Sequence, residues 1–403
     1  MDKNEIVKRF YLFFIILKKF TLSLEIQNLH IQNLRNHLNT EITINSNLNV
    51  FYGKNGSGKT TILEAISLCS LAKSFTSTND ASLINANYDH YKIECVAKNI
   101  LNLEYRVKLS YQRGSRKKII TNFGENLSPK DIIGEMPLVI LSPDLSEISK
   151  GMPEKRREFI DKILSQISKS YYEDLINFKK ALKNRNSILI RNKNEGIFNR
   201  DVFDSWNDIF VNYATKLVHK RLLFFKEFPQ LFRNYYKFIS ANNEYVDLKY
   251  ELDSYAKGMD IENLEFDDIK EHFNKISTEK LNIEKMRGIT LFGPQKDDFQ
   301  ILINEYPARD RASQGQHKSI IIALKFAEFD YMSVRKNEIP IVILDDIFSE
   351  LDETRSNLVL QELMRRNAQT FITSTNRYPF ELSNDYLPMI SFFKVENGKA
   401  LKK

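Results

Sequence analysis

Gly53-Lys54-Asn55-Gly56-Ser57-Gly58-Lys59-Thr60 fits the pattern G-x-x-x-x-G-K-[ST]. An apolar run, Leu48 to Tyr52, precedes it, and a helical pattern follows with apolar residues at Ile62, Leu63, Ile66, Leu68 and Leu71. This strand–loop–helix context confines the chain to an α/β nucleotide-binding core. Glycines let successive backbone N–H groups converge on phosphate oxygens, and the helix N-terminus adds partial positive charge. Lys59 supplies a cation for the outer phosphates, and Thr60 offers a hydroxyl to Mg²⁺. The chain is therefore expected to bind a nucleoside triphosphate through Gly53, Lys54, Asn55, Gly56, Ser57, Gly58, Lys59 and Thr60.

The second half of such a site is an apolar strand ending in acid. Pro340 to Leu344 leads into Asp345 and Asp346. Asp345 suits Mg²⁺ and Asp346 suits orientation or deprotonation of the attacking water. Lys59 and Asp345 stand 286 positions apart, so a whole unit is inserted between the halves of one nucleotide domain. From Glu154 the apolar period lengthens to about 3.5 (Ile160, Leu164, Ile167, Tyr171, Leu175, Phe178, Leu182, Leu189), predicting a long packed helix. Trp206 to Phe228 predicts a second helix ending at Pro229, and Glu251 to Lys285 a less regular, acidic helical stretch. Strands are expected to return at Ile289–Gly293, Phe299–Ile303 and Pro340–Asp346. The expected division is residues 1–21 as an extension, 22–150 as the first lobe, 151–286 as a helical arm and 287–403 as the remainder of the head.

Ala312-Ser313-Gln314-Gly315-Gln316 opens a helix expected to begin near His317. Alone it reads equally as a plain N-cap. Placed shortly before the acidic strand, it reads as the signature motif of the ATP-binding-cassette class, and Ser349-Glu350-Leu351-Asp352 resembles that class's D-loop. The fold expected is an ABC-type P-loop ATPase head, SMC-like, with an inserted helical arm.

Composition supports a globular chain of several units: 403 residues, 42% hydrophobic, 28% charged and net +7. The charge tilts the partner toward nucleic acid. Two cysteines and six histidines exclude a disulfide framework and a metal cluster of that kind, and point to a reducing, cytoplasmic setting. Phe10 to Leu17 is apolar between Lys8-Arg9 and Lys18-Lys19, too short to span a bilayer. It reads as an upstream extension or disordered arm ahead of a surface anchor or a signal peptide, and no membrane is expected as a partner. Basic clusters at Arg113, Arg116, Lys117 and Lys118, at Lys155 to Arg157, and at Lys179, Lys180, Lys183, Arg185, Arg191 and Lys193 are candidate phosphate contacts or solvated faces.

Four further segments carry a family likeness. Asn33-Leu34-Arg35-Asn36 matches an early "FRN" element. Pro143-Asp144 with Gly151-Met152-Pro153-Glu154-Lys155-Arg156-Arg157-Glu158-Phe159-Ile160-Asp161 matches a P-[ED] … G-x-P-x-x-R-R-x-F-[LIVM]-D signature. Gly293-Pro294-Gln295-Lys296-Asp297-Asp298 is similar to a GPHKDD box, with Gln295 in place of the usual His. Leu344-Asp345-Asp346 through Asp352 carries DD where SMC heads have DE. Together they resemble the RecF family of bacterial recombination mediators. The resemblance implies that ATP binding drives homodimerisation on DNA, with weak ATPase activity, helping RecO and RecR load RecA at gaps. It adds Arg35, Ser313, Gly315 and Gln316 to the nucleotide-contacting set, Ser313 acting across the dimer on the partner's nucleotide, and leaves open single-stranded, duplex or gap-junction DNA. An SMC-type structural DNA ATPase is the alternative, but the inserted unit is short for its long arms.

Overall fold

Strand β1 (Glu25–Leu34) turns at once into β2 (His37–Thr43), and β3 (Leu48–Tyr52) leads into helix α1 (Lys59–Leu71). Then come β4 (His90–Lys98), β5 (Glu104–Gln112), β6 (Lys118–Thr121), β7 (Gly124–Leu127), α2 (Pro129–Ile132) and β8 (Leu138–Leu141). The middle of the chain holds α3 (Ser146–Lys150), α4 (Pro153–Ile167), α5 (Lys169–Glu195), α6 (Arg200–Ser240), β9 (Val246–Glu251) and α7 (Phe266–Arg287). It continues with β10 (Asp298–Ile303), β11 (Tyr306–Pro307), α8 (Ala308–Arg311) and α9 (Gln314–Lys336). The chain ends with β12 (Ile341–Leu344), α10 (Glu353–Arg366), β13 (Thr370–Ser374), β14 (Ile390–Glu396) and β15 (Lys399–Lys402). This computed structural model describes residues 23–44, 47–240, 244–255, 261, 263–377 and 390–403; the extension expected at 1–21 lies outside the described residues.

Two compact units divide the chain: residues 1–144 with 328–403, and residues 145–327. The first unit holds two six-stranded sheets, β2-β1-β4-β5-β6-β7 and β15-β14-β3-β13-β12-β8. The former is antiparallel throughout; the latter is parallel except for the β14–β15 hairpin. Helix α1 packs on β1, β4 and β5 of one sheet and β8 and β13 of the other. Nearly every side chain of α1 is buried, its polar Glu64, Ser67 and Ser70 included, so its apolar residues spread around the helix instead of forming one stripe. One core, including Leu29, Ile31, Phe51, Ile66, Val107, Ile140, Ile343 and Phe371, joins both sheets through this helix.

The second unit packs α4 to α7 with the sheet β11-β10-β9. Four expectations are corrected in it. The arm's first helix breaks at Ser168, whose hydroxyl accepts from Tyr171 N–H and caps α5. Pro229 does not end the second helix. α6 runs through it to Ser240, because the buried face Phe224, Phe228, Phe232, Tyr236 continues across the proline and offsets its cost of about 3 kcal/mol. Ile289–Gly293 is not a strand: Thr290 and Leu291 donate their backbone N–H to Asn186 Oδ1 and Glu284 Oε1, so helical side chains stand in for a ladder. The boundary expected at 286/287 lies at 327/328, because residues 287–327 are tied to the arm. β10 pairs with β9, Arg156 grips Asp298 with two 2.7 Å bonds, and Arg221 donates to the Pro294 carbonyl at 2.9 Å.

Candidate nucleotide site

The loop 53–58 leaves the C-terminal end of β3, which lies between the parallel neighbours β13 and β14. Ligands in open α/β sheets sit at such strand ends. Gly58 has φ +107°, and a Cβ there would lie 2.5 Å from the His37 imidazole. Glycine is thus required by both backbone and space. Lys59 Nζ, nearly buried, donates to the carbonyls of Gly53 (2.7 Å) and Lys54 (3.0 Å), which aims its charge along the loop. Burial pushes the Lys59 ammonium down from its usual range, and the carboxylates of Asp346 and Asp345 oppose that shift.

Thr60, the second residue of α1, donates its hydroxyl to Asp345 Oδ1 at 2.9 Å. Thr373 at the end of β13 donates to the same oxygen at 2.7 Å. Asp345 is raised by burial, and both hydroxyl bonds pull it back toward ionisation. Asp346 takes a left-handed backbone (φ 50°) with its N–H on Thr373 Oγ1, so consecutive carboxylates leave β12 in different directions. Asp346, Ser349, Glu353, Ser374 and Asn376 line one open pocket. The structure therefore brings Lys59, Thr60, Asp345 and Asp346 together in the first unit.

The residues fit a Mg²⁺-bound triphosphate. The loop glycines take positive φ, the Ser57 hydroxyl is buried with no hydrogen-bond partner among the described residues, and a hydroxyl meets a carboxylate where a hard cation wants oxygen.

Other candidates are placed differently. Arg35 is bidentate to Glu64 of α1, at 2.6 and 2.8 Å, and also donates to Thr76; it ties the β1–β2 turn to the phosphate-loop helix. Ser313, Gly315 and Gln316 belong to the second unit. Helix α9 begins at Gln314 rather than His317, and Ser313 caps it: its hydroxyl accepts from Gln316 N–H while Gln316 Oε1 accepts from Ser313 N–H. Gln316 Nε2 donates to Glu244, so its carboxamide is committed on both sides.

Two neighbours of Arg35 are not marked as site residues by the sequence. Asn36 Nδ2 donates to the Gly56 carbonyl (3.2 Å), and His37, fully buried, bonds the Gly58 carbonyl through Nε2 (3.0 Å). A carbonyl only accepts, so Nε2 carries the proton. Burial holds the His37 imidazole below its ordinary range, partly opposed by that bond, and keeps it neutral. Its Nδ1 faces Thr40 Oγ1 (2.9 Å), which also reaches the Gly398 carbonyl (2.6 Å), while Gly398 N–H donates to Ser57 O at 3.2 Å. The β14–β15 turn thus braces the phosphate loop. A Cβ at Gly398 would lie 2.0 Å from the Asn36 carbonyl.

Several basic candidates are spent on structure. Lys117 donates to the Ala72 carbonyl closing α1 (2.6 Å) and pairs with Asp80 (2.8 Å). Arg156 is held by Asp298, and Arg157 donates to the Asp297 carbonyl. Arg185 is fully buried on Glu284, Thr290 and Asn207, ringed by Phe203, Phe210 and Phe292. Each of these four thus carries at least one bond within the fold.

Residues 25–399 match the RecF/RecN/SMC N-terminal domain. The chain belongs to the RecF family. It is 34% identical to the DNA replication and repair protein RecF of Chloroherpeton thalassium, over 87% of this chain and 95% of that one. It is 33% identical to that of Lysinibacillus sphaericus, over 94% and 100%. A solved recombination mediator RecF with ATP, described as part of the RecFOR pathway, superposes with a TM-score of 0.85 at 29% identity, covering 95% of this chain and 98% of the other. The Smc head of Pyrococcus furiosus, at TM-score 0.53 and 14% identity, shares the fold. No helix among the described residues is long and apolar enough to cross a membrane.

Proposed function

We propose that this RecF-family chain is a cytoplasmic ATP-dependent DNA-repair switch. ATP binding joins two copies on DNA, slow hydrolysis releases them, and RecO and RecR use the interval to load RecA at gaps. The observation that carries the nucleotide reading is the Thr60–Asp345 hydrogen bond beneath Lys59, which joins the phosphate loop to the acidic strand end. RecF structures with ATP and the pathway named for them support the rest.

When bound, Mg²⁺ neutralises charge on the outer phosphates. Thr60 and Asp345 would hold it. The loop N–H groups and Lys59 hold the phosphates, and Asp346 accepts a proton from, or orients, the attacking water. Ser313 acts on the nucleotide of the partner copy with its remaining hydroxyl proton, since its oxygen is engaged by Gln316 N–H. Sedimentation of the purified chain with DNA tests the reading: ATP, but not ADP, converts monomer to dimer, and Lys59→Ala or Ser313→Arg remains monomeric. A wild-type chain equally monomeric in ATP and ADP overturns it.

A further inference from the structure

On the antiparallel sheet of the first unit, register aligns one residue from each of five strands. Asn39 pairs with Gln32, Gln32 with Lys92, Lys92 with Ser110, and Ser110 with Lys118. Directly opposed residues of antiparallel strands share a face. Here it is the outward one, because Ile31, Ile93, Leu109 and Ile119, the residues next in sequence, are all in the core. Strands lie about 4.8 Å apart, so the row is about 19 Å long, with its two lysines about 10 Å apart. It contains no acid and no apolar side chain.

Lys92 and Lys118 are exposed, as are Arg113 and Arg116 in the β5–β6 turn beside them. In the adjoining row Glu94 is neutralised by Arg106 (2.7 Å) and Lys108 (3.4 Å), and its other acid, Glu41, stands beyond His30 at the β2 end, away from the two lysines. We infer that this row, with the turn above it, is the surface that receives the sugar–phosphate backbone of duplex DNA. The inference rests on the DNA-binding reading above and specifies where on the chain it acts.

The chemistry favours a duplex backbone over other partners. Lysines act as point charges on phosphates, and Asn, Gln and Ser side chains hydrogen-bond phosphate and sugar oxygens without reading sequence. Capture of single strands needs aromatic rings on which bases stack, and the row has none. Protein partners need apolar or aromatic anchors, also missing. The row crosses a six-stranded sheet and belongs to no projecting recognition helix or two-stranded ribbon, so it meets the backbone rather than reading bases in a groove.

The test uses the full chain with ATP and fluorescence anisotropy on a short blunt duplex and on its single strand, between about 50 and about 200 mM salt. Lys92→Gln/Lys118→Gln removes two phosphate contacts, so the log K against log[salt] slope on duplex becomes shallower by about 1.8. ATP affinity stays at the wild-type value, and Lys92→Arg/Lys118→Arg retains the steep slope. An unchanged slope for the Gln pair, with wild type binding duplex normally, overturns the surface while leaving the DNA reading intact. An effect confined to the single strand overturns the duplex assignment. A wild-type chain that binds no DNA at all overturns both readings.

Discussion

Thr60 and Asp345, 285 positions apart, share a 2.9 Å hydrogen bond, and Thr373 donates to the same carboxylate oxygen. The arrangement gives the two consecutive aspartates different surroundings. Asp345 is buried and engaged by hydroxyls; Asp346 is turned away by its left-handed backbone toward the open pocket.

On the assignment proposed above, Asp345→Asn should weaken ATP binding in Mg²⁺ far more than in EDTA, because it removes the charge that would face the cation. Asp346→Asn should keep Mg²⁺-dependent binding and slow phosphate release by about 10²-fold, as expected when a reacting water loses its positioning group. Calorimetry with and without Mg²⁺, beside single-turnover hydrolysis, separates the two. Wild-type hydrolysis by Asp346→Asn assigns the water to another group.

His37 lies behind the phosphate loop and donates to the Gly58 carbonyl from a fully buried site. His37→Ala should lower ATP affinity by about tenfold, the worth of one loop-positioning hydrogen bond of about 1–1.5 kcal/mol. His37→Gln, whose amide can donate to the same carbonyl, should recover part of it. Equal affinities for Ala and Gln in calorimetry would show that the bond does not shape the loop.

The phosphate loop and the acidic strand end were legible in sequence because each is local: backbone freedom and charge at fixed spacing define them whatever surrounds them. Residues whose role depends on a distant partner were not. Lys117 reads as one more cation in Arg113–Lys118 until Ala72 and Asp80 are seen against it. Arg185 reads as a solvated arm charge until Glu284, 99 positions on, takes it into the core. Apolar Ile289–Gly293 reads as a strand, although its N–H groups find side chains instead of a ladder. His37 has a visible signal, adjacency to the Asn33–Asn36 element, but only the tight β1–β2 turn carries it beneath Gly58.

The difference between Lys117 and its neighbours is measurable. Lys117→Ala should destabilise the first unit by about 1.5–3 kcal/mol, since it removes a charge-assisted bond from the end of α1 and leaves Asp80 without its cation. Arg116→Ala and Lys118→Ala, both exposed, should stay within about 0.5 kcal/mol of wild type. Urea midpoints of the three variants decide it; a Lys117→Ala midpoint equal to the other two removes its capping role.

Asp297 gives the second unit a pH dependence. Its carboxyl, fully buried, accepts from Tyr250 O–H (2.9 Å) and Asp253 N–H (3.2 Å), and burial pushes it up to about 6 despite the nearby Arg221 guanidinium. The folded state thus holds this proton more tightly than the unfolded chain, where the group titrates near 3.8. Its favourable contribution is fully present below pH 3.8, and it is lost as pH rises from there through about 6. A shift of this size corresponds to about 3 kcal/mol. Asn at this position is neutral at every pH and can still accept from the Asp253 N–H. Asp297→Asn should accordingly remove that loss, so its unfolding midpoint relative to wild type should climb across this interval and level off above it. Thermal melts of both proteins at matched ionic strength from about pH 4 to about pH 8 give the difference curve, in which titrations common to both chains cancel. A flat difference curve would mean that Asp297 is ionised in the fold throughout, with Arg221 outweighing its burial.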